Sequence, residues 1–229
     1  MQNETPDRAD FLDQLARDRY SCRGFRPDAL PRATIDRILA IAQRSPSWCN
    51  SQAWQLTIGS AAATERARNA LLAHVQGGGV AKTDLDWPRE YRGVYQQRRR
   101  ECGFQLYAAT GVARGDKVAA ERQRLENFRF FGAPHVAIVT SEEPLGTYGA
   151  IDCGAYVAVF MLAARACGVA SIAMAALAAY ADFWREHWGL DAQRKVVCGI
   201  AFGLEDATHP ANGFRTTRAA LADAAQWID

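Results

Sequence analysis

The sequence predicts either an α+β fold or a three-layer α/β fold, with a sheet of about four or five strands. Two apolar runs of strand length support this prediction, PHVAIVTS at 134–141 and KVVCGIAFG at 195–203. Stretches with helical periodicity lie between and around them, without a regular alternation of strand and helix. This irregular order favours an α+β arrangement over a repeating βα unit.

In the first third of the chain, amphipathic helices are predicted at 11–19, 31–44 and 61–74, and a short strand, WQLTIGS, at 54–60. Pro31 suits the first turn of the second helix. The glycine-rich segment 76–88 is predicted to be a loop. The polar segment 89–131 is predicted to form a pair of helices that stand off the core as an insertion in a single domain, 1–229.

The most apolar stretch, AIDCGAYVAVFMLAA at 150–164, predicts a buried core helix at 151–167. It is too short to span a bilayer, and Asp152 and Arg165 lie at its ends. The Ala-rich segment 169–177 is compatible with a strand or an extended loop. A further helix is predicted at 181–188, followed by a turn-rich basic tail.

Composition excludes several classes of protein. With 49% hydrophobic and 23% charged residues the chain has a globular composition, and its net charge of +2 makes nucleic acid a poor partner. The N-terminal MQNETPDRAD has no apolar run, so neither a secretory signal nor a membrane anchor is expected. Six scattered cysteines without a CxxC pair argue against a zinc site or disulfides and suit the cytoplasm.

Two basic clusters are candidates for binding an anion. RYSCR at 19–23 places two arginines around a serine hydroxyl, and FRTTR at 214–218 repeats the combination far away in the sequence. Guanidinium groups match the geometry of phosphate oxygens, and a hydroxyl adds a further donor. On spacing alone, a solvated basic turn is the more common explanation for each cluster.

A third polar segment, RSPSWCNSQAW at 44–54, has two open interpretations. Ser47, Asn50 and Gln52 would hydrogen-bond the edge of a heterocycle, with Trp48 and Trp54 packing beside it. Alternatively, the same polar groups would satisfy the backbone at a helix end. The sequence has no P-loop, GxSxG or HExxH motif and no evident pair of nucleophile and base, so an enzyme of this kind would rely on a cofactor.

The order of these motifs resembles the flavin-dependent nitroreductase family. RYSCRGF at 19–25 matches R-x-S-x-[RK]-x-F, and PSWCNSQAW at 46–54 matches P-S-x-x-N-x-Q-P-W. A C-terminal strand, a turn and a basic cluster complete the pattern. The middle of the chain, from YQQRRRECGF to RFFGAP, is similar to the subgroup of nitrobenzoate and dinitroaniline reductases. The resemblance implies an α/β/α fold with a mixed sheet, helices on both faces and an intertwined FMN-binding homodimer.

The resemblance also implies roles for individual residues. Arg19 and Ser21 would hold the FMN phosphate and ribityl chain, with Tyr20 nearby, and Arg23 would approach the pyrimidine edge near N1 and O2. Arg218, with Arg215, would close on the phosphate. Two further groups follow by position. One would lie near the flavin of the other subunit and consists of Pro46, Ser47, Trp48, Asn50 and Gln52. The backbone of the other group would pass the flavin N5, and its members are Ser171, Ile172 and Ala173.

Three positions depart from the family pattern: Ala53 replaces a proline, Trp48 replaces a small residue, and Ala173 stands where many members have glutamate. Ala53 predicts a looser turn, and Trp48 predicts an aromatic pocket wall. Ala173 removes a nicotinamide or substrate contact.

The activity implied is reduction of nitroaromatic compounds to nitroso and hydroxylamino products by NADPH or NADH in a ping-pong cycle. Arg23 is the candidate catalytic residue, because its charge would stabilise reduced flavin. No acid–base residue and no metal are predicted. Candidates for contact with the aromatic substrate are Trp48, Cys49, Phe128, Phe130 and Phe131; packing in the core of a dimer stays open for the phenylalanines. Alternatives are reduction of activated alkenes, quinones or halogenated aromatics, and flavin storage without turnover.

Overall fold

One sheet, with the strand order β1–β2–β4–β3, lies at the centre of the computed structural model, which describes residues 7–228. The strands are β1 Gln55–Ile58, β2 His135–Glu142, β3 Ala170–Met174 and β4 Arg194–Gly203. All three strand pairs are antiparallel. The predicted number of strands is confirmed. The predicted mixed sheet is wrong for the described residues, because all the strands pair antiparallel and the segment 19–23 adds only an isolated parallel bridge between Ser21 and Ser171.

Eight α-helices accompany the sheet in the described residues: α1 Arg8–Asp18, α2 Arg32–Ala42, α3 Ala61–Gln76, α4 Gly93–Ala109, α5 Lys117–Leu125, α6 Gly146–Ala166, α7 Ala175–Ala178 and α8 Ala181–Trp188. The ambiguous segment 169–177 forms β3 and most of the short helix α7. Helix α6 begins five residues before the predicted start at 151, since it extends back to Gly146. Up to residue 228, the helical structure of the tail is limited to 3₁₀ turns at Pro210–Asn212 and Leu221–Asp223.

The sheet has a hydrophobic core on each face, which confirms the three-layer arrangement. In β2, Val136 and Ile138 face a core with α3, α7 and α8, whereas Ala137 and Val139 face a second core with α2 and α6. Side chains alternate across a strand, so a strand that is buried on both faces requires an unbroken apolar run. This requirement explains why HVAIV was recognisable as a strand.

Helix α6 is buried on one face only. Cys153, Tyr156 and Phe160 pack against the sheet and α2, whereas Tyr148 and Ile151 are 56% and 57% exposed. By length and composition the segment Glu143–Ala166 is able to cross a membrane, with a mean hydropathy of 1.4. Its packing is that of a core helix with an additional apolar face. Helices α4 and α5, within the segment 89–131, contain no buried residue.

Candidate active site

The segment that follows α1 places three polar side chains on one side of an extended chain. Ser21 forms the parallel bridge to Ser171, and the N–H of Cys22 donates to the carbonyl oxygen of Ser171 at 3.2 Å. The side chain of Cys22 is fully buried in the core. Because side chains alternate along extended backbone, Arg19, Ser21 and Arg23 point away from that core.

The C-terminal segment brings the second basic cluster to the same place. After β4 the chain passes through the 3₁₀ helix Pro210–Asn212 and returns alongside the segment 19–23. Both clusters line one cavity of about 630 Å³. The predicted site residues in its wall are Arg19, Tyr20, Ser21, Arg23, Arg215 and Arg218. The fold therefore joins two clusters that are almost two hundred residues apart in the sequence.

The arginines in the wall of this cavity carry positive charge, and Asp13, a carboxylate that also lines it, is paired with Arg17. In residues 7–228, none of Arg19, Arg23, Arg215 and Arg218 has a carboxylate within 4.0 Å. Burial lowers the pKa of Arg19, and repulsion from Arg218 lowers it further. Burial likewise lowers the pKa of Arg23. Each shift reflects a guanidinium that lacks a partner, and a bound anion would supply one.

Two of these arginines are already held in place by neutral groups. The guanidinium carbon of Arg215 lies 3.6 Å from the ring centroid of Tyr20, and its Nη1 donates to the carbonyl oxygens of Asn212 and Phe214, both at 2.8 Å. Nη1 of Arg218 donates to Thr216 Oγ1 at 2.9 Å. These contacts orient the side chains without cancelling their charge.

The turn at 46–52 is fixed by a buried carboxylate on α6. Asp152 accepts hydrogen bonds from the N–H of Trp48 at 3.0 Å and from the hydroxyl of Ser51 at 3.1 Å. The N–H of Gln52 donates to Ser47 Oγ at 2.9 Å. The looser turn expected from Ala53 stays a prediction. Cys49, Asn50 and Gln52 all have positive φ angles, between 50° and 56°, which is uncommon for residues other than glycine.

This turn presents its aromatic residue to the surface. Trp48 is 62% exposed and its ring centroid lies 4.7 Å from that of Tyr148 in the first turn of α6. No residue from 46 to 52 lines the arginine-rich cavity of the same chain. Trp54, by contrast, is buried, and its indole N–H donates to Gln43 Oε1 at 3.1 Å. The structure thus supports the helix-end interpretation for part of the segment 44–54, and contact with a heterocycle stays a prediction.

The three phenylalanines lie in the core, which corrects two of the predicted substrate contacts. Phe128 and Phe130 are buried against Tyr180 and Trp184, respectively, so neither ring is available to a substrate in this structure. They also follow α5 rather than lying on it. Phe131 is buried as well, but its ring centroid is 6.0 Å from the guanidinium carbon of Arg23, beside the cavity.

The β3 residues differ in exposure. Ser171 and Ile172 are buried, whereas Ala173 is exposed. The backbone of Ser171 is engaged by the segment 19–23, as described above. The side chain of Ile172 lies in the core that contains α3 and α8, so only its backbone is available to a ligand.

Among the site residues that the sequence does not predict are Cys102, Asn212 and Asp152. Cys102 on α4 lines the cavity, Asn212 bridges the two basic clusters, and Asp152 fixes the turn 46–52. The sequence contains one signal for Asp152, since it is a charged residue at the end of an otherwise apolar helix. Asn212 lies in a turn-rich HPANGF segment, where asparagine usually bonds its own backbone, and nothing local indicated a distant partner.

The fold is that of a three-layer α/β/α protein, and its arginine-lined cavity offers donors that suit an anion. Comparison with known proteins makes the class specific: the chain belongs to the nitroreductase family, whose model matches residues 16–204.

Among curated proteins, it is 38% identical to nitroreductase NfnB of Mycolicibacterium smegmatis, over 96% of this chain and 93% of that protein. It is 31% identical to a 4-nitrobenzoate reductase of Nocardioides sp., over 90% of this chain and 85% of that protein.

Solved structures agree with this assignment. The FMN-dependent nitroreductase NfnB from Mycobacterium smegmatis, crystallised in complex with NADPH, superposes with a TM-score of 0.92 at 36% identity, covering 97% of this chain and all of the other. The FMN- and NADPH-dependent NfnB from Sphigopyxis sp. strain HMH superposes with a TM-score of 0.91 at 30% identity. The match covers 95% of this chain and 99% of the other. The predicted family and fold are confirmed.

Proposed function

We propose that the chain is an FMN-dependent nitroreductase that reduces nitroaromatic compounds with NADPH or NADH as the electron donor. The observation that carries the proposal is the cavity with four arginines, none paired with a carboxylate in the described chain. Its donor set fits the phosphate of FMN, because guanidinium and hydroxyl groups are the usual partners of a phosphate. The names of the relatives support nitroaromatic compounds as the substrate class.

Arg19, Ser21, Arg215 and Arg218 would hold the phosphate end of the cofactor, with Tyr20 ordering Arg215. Arg23 would lie at the pyrimidine edge, where its charge stabilises the reduced form. Backbone groups of Ser171, Ile172 and Ala173 would line the ring. Bound FMN supplies the two-electron chemistry that takes a nitro group to nitroso and then to hydroxylamine. No acid–base side chain has to be assigned to the protein for this role.

The proposal includes a homodimer in which the turn 46–52 meets the flavin bound by the other subunit. Three features support it: the turn does not line its own cavity, α6 has an exposed apolar face, and Trp227 and Ile228 in the tail are exposed. Pro46, Ser47, Asn50 and Gln52 would contact that flavin, while Trp48, Cys49 and Phe131 would border the aromatic substrate. All six cysteines are free, which suits a cytoplasmic enzyme.

An absorbance spectrum of the purified protein, loaded with FMN where necessary, tests the proposal. We expect a yellow protein whose colour bleaches on anaerobic addition of NADPH or NADH and returns when 4-nitrobenzoate is added. Failure to take up FMN contradicts the proposal entirely. Uptake without bleaching would indicate flavin storage. Bleaching that is reversed only by quinones, activated alkenes or halogenated aromatics would assign a different substrate class.

A further inference from the structure

Asn212 is a buried polar residue at the junction of the two basic clusters. It is 5% exposed, and its side chain makes three hydrogen bonds to backbone groups. Its Oδ1 accepts from the N–H of Arg23 at 2.8 Å, and its Nδ2 donates to the carbonyl oxygens of Gly24 and Asp206, both at 2.9 Å. An acceptor facing an N–H and a donor facing two carbonyls define a single orientation of the amide.

The backbone of Asn212 is linked to the other cluster, because its carbonyl oxygen accepts from Arg215 Nη1. Gly24 and His209 pack so closely that a Cβ atom at Gly24 would lie 2.2 Å from His209 Cγ. The N–H of Asp206 also donates to the Gly24 carbonyl oxygen at 3.0 Å. The segment 206–215 is therefore clamped against residues 23 and 24.

The Arg23 side chain has few restraints of its own. Its Nη1 donates to the Ser21 carbonyl oxygen at 3.3 Å, and the ring of Phe131 lies at cation–π distance. In the described chain no carboxylate holds it. The position of the guanidinium therefore depends strongly on the backbone from which it extends, and Asn212 is the side chain that holds the N–H of this backbone.

We propose that Asn212 is a positioning residue that sets the reduction potential of bound FMN through Arg23. The inference rests on the proposed function and on the place of Arg23 at the flavin edge. A guanidinium stabilises the reduced cofactor only when it is held at a fixed distance from the developing charge. Loss of the Asn212 amide would leave the Arg23 N–H without its partner and let the guanidinium shift.

The test compares Asn212→Ala with the wild-type protein loaded with FMN. We expect a more negative two-electron reduction potential and slower anaerobic reduction by NADPH. The FMN dissociation constant, measured by fluorescence quenching, should rise only about two- to tenfold, as for the loss of one or two hydrogen bonds. Should Asn212→Ala fail to fold, Asn212→Ser serves instead, because its shorter side chain cannot reach all three backbone partners.

A double-mutant cycle decides whether Asn212 acts through Arg23. Arg23→Ala should lower the potential by itself, and adding Asn212→Ala should then cause little further change. If Asn212→Ala shifts the potential equally with and without the Arg23→Ala substitution, the proposal is overturned. An unchanged potential in Asn212→Ala alone would overturn it as well.

Thr64→Val is a matched control for loss of stability. Thr64 is fully buried, and its Oγ1 donates to the Gly59 carbonyl oxygen and accepts from the N–H of Val136, both at 3.3 Å. The Thr64→Val substitution should lower the midpoint temperature of thermal unfolding without changing the reduction potential of FMN. A comparable shift of the potential in Thr64→Val would indicate a general structural effect and contradict the specific role. Absence of FMN uptake by the wild type would instead refute the proposed function.

Discussion

At the scale of single residues, the arginine-lined cavity has an energetic cost that a ligand can offset. Arg19 and Arg218 repel each other, and burial disfavours the charged form of Arg19 and of Arg23. An unpaired charge that is removed from water destabilises the folded state. A bound phosphate would therefore stabilise the protein in two ways, through new hydrogen bonds and through relief of this repulsion.

The substitution Arg218→Ala separates these two effects. We expect it to abolish retention of FMN through gel filtration, since a phosphate ligand is lost. The apoprotein should melt at the wild-type temperature or slightly above it, because the repulsion of Arg19 is relieved. Arg66→Ala, on the exposed face of α3, is the control and should leave both properties unchanged. A fully yellow Arg218→Ala protein would show that the phosphate lies elsewhere.

At the scale of secondary-structure elements, the turn 46–52 depends on α6. Three residues with positive φ each cost on the order of 1 kcal/mol or more, so this conformation persists only when its surroundings hold it. Asp152 supplies that hold by accepting hydrogen bonds from Trp48 and Ser51. The turn is thereby prepared to present Trp48 before any ligand arrives.

Asp152→Ala should destabilise the protein by about 1–3 kcal/mol, because a buried backbone N–H and a hydroxyl lose their acceptor. Ser51→Ala removes only one of the two bonds and should cost about 1 kcal/mol or less. Denaturant unfolding followed by circular dichroism measures both. Equal stabilities of the two variants would contradict the role of Asp152 as the anchor. We also expect Asp152→Ala to raise the KM for a nitroaromatic substrate more than Ser51→Ala does.

At the scale of the whole molecule, the core contains titratable groups that burial keeps neutral. Burial raises the pKa of Cys153 from 9.0 to about 11 and that of Cys198 from 9.0 to about 12. It likewise raises the pKa of Tyr156 from 10.0 to about 12. All three lie in or against the core beneath α6. The stability of this core should therefore respond to alkaline pH.

We expect the free energy of unfolding to fall as pH rises from about 9 towards about 12. In this window the unfolded thiols ionise while the folded ones stay protonated, so the unfolded state binds fewer protons. Below pH 9 the thiols are protonated in both states and add no pH dependence. Denaturation at several pH values measures the slope, which Cys153→Ala should reduce and Cys49→Ala, at an exposed thiol, should not. An identical slope in Cys153→Ala would contradict this account.

The exposed apolar face of α6 is the whole-molecule feature that the proposed homodimer would cover. Ile151→Glu places a charge on that face, and burial of an unpaired charge opposes association. We expect a monomer in light scattering and weaker retention of FMN. Val80→Glu, on an exposed loop, is the control and should leave the oligomeric state unchanged. A wild-type protein that is itself monomeric would contradict the dimer.

Some elements of the fold are recognisable in the sequence and others are not. Strands β2 and β4 were recognisable because burial on both faces demands continuous apolar residues. The Ala-rich segment 169–177 stayed ambiguous, since alanine suits both a strand and a helix in a tight core. For Phe128 and Phe130 the sequence allows either a substrate wall or packing in the core of a dimer, because an aromatic residue has the same local pattern in a core and in a pocket.

By itself, the sequence determined the fold class, the family and the two arginine clusters, because periodicity and motif order are local properties of the chain. Only the tertiary structure decided that the clusters share one cavity, that Asn212 joins them, and that Asp152 anchors the turn 46–52. Those relations link residues that are far apart in the chain. A side chain's partner depends on how the layers pack, and a single sequence carries no direct record of that packing.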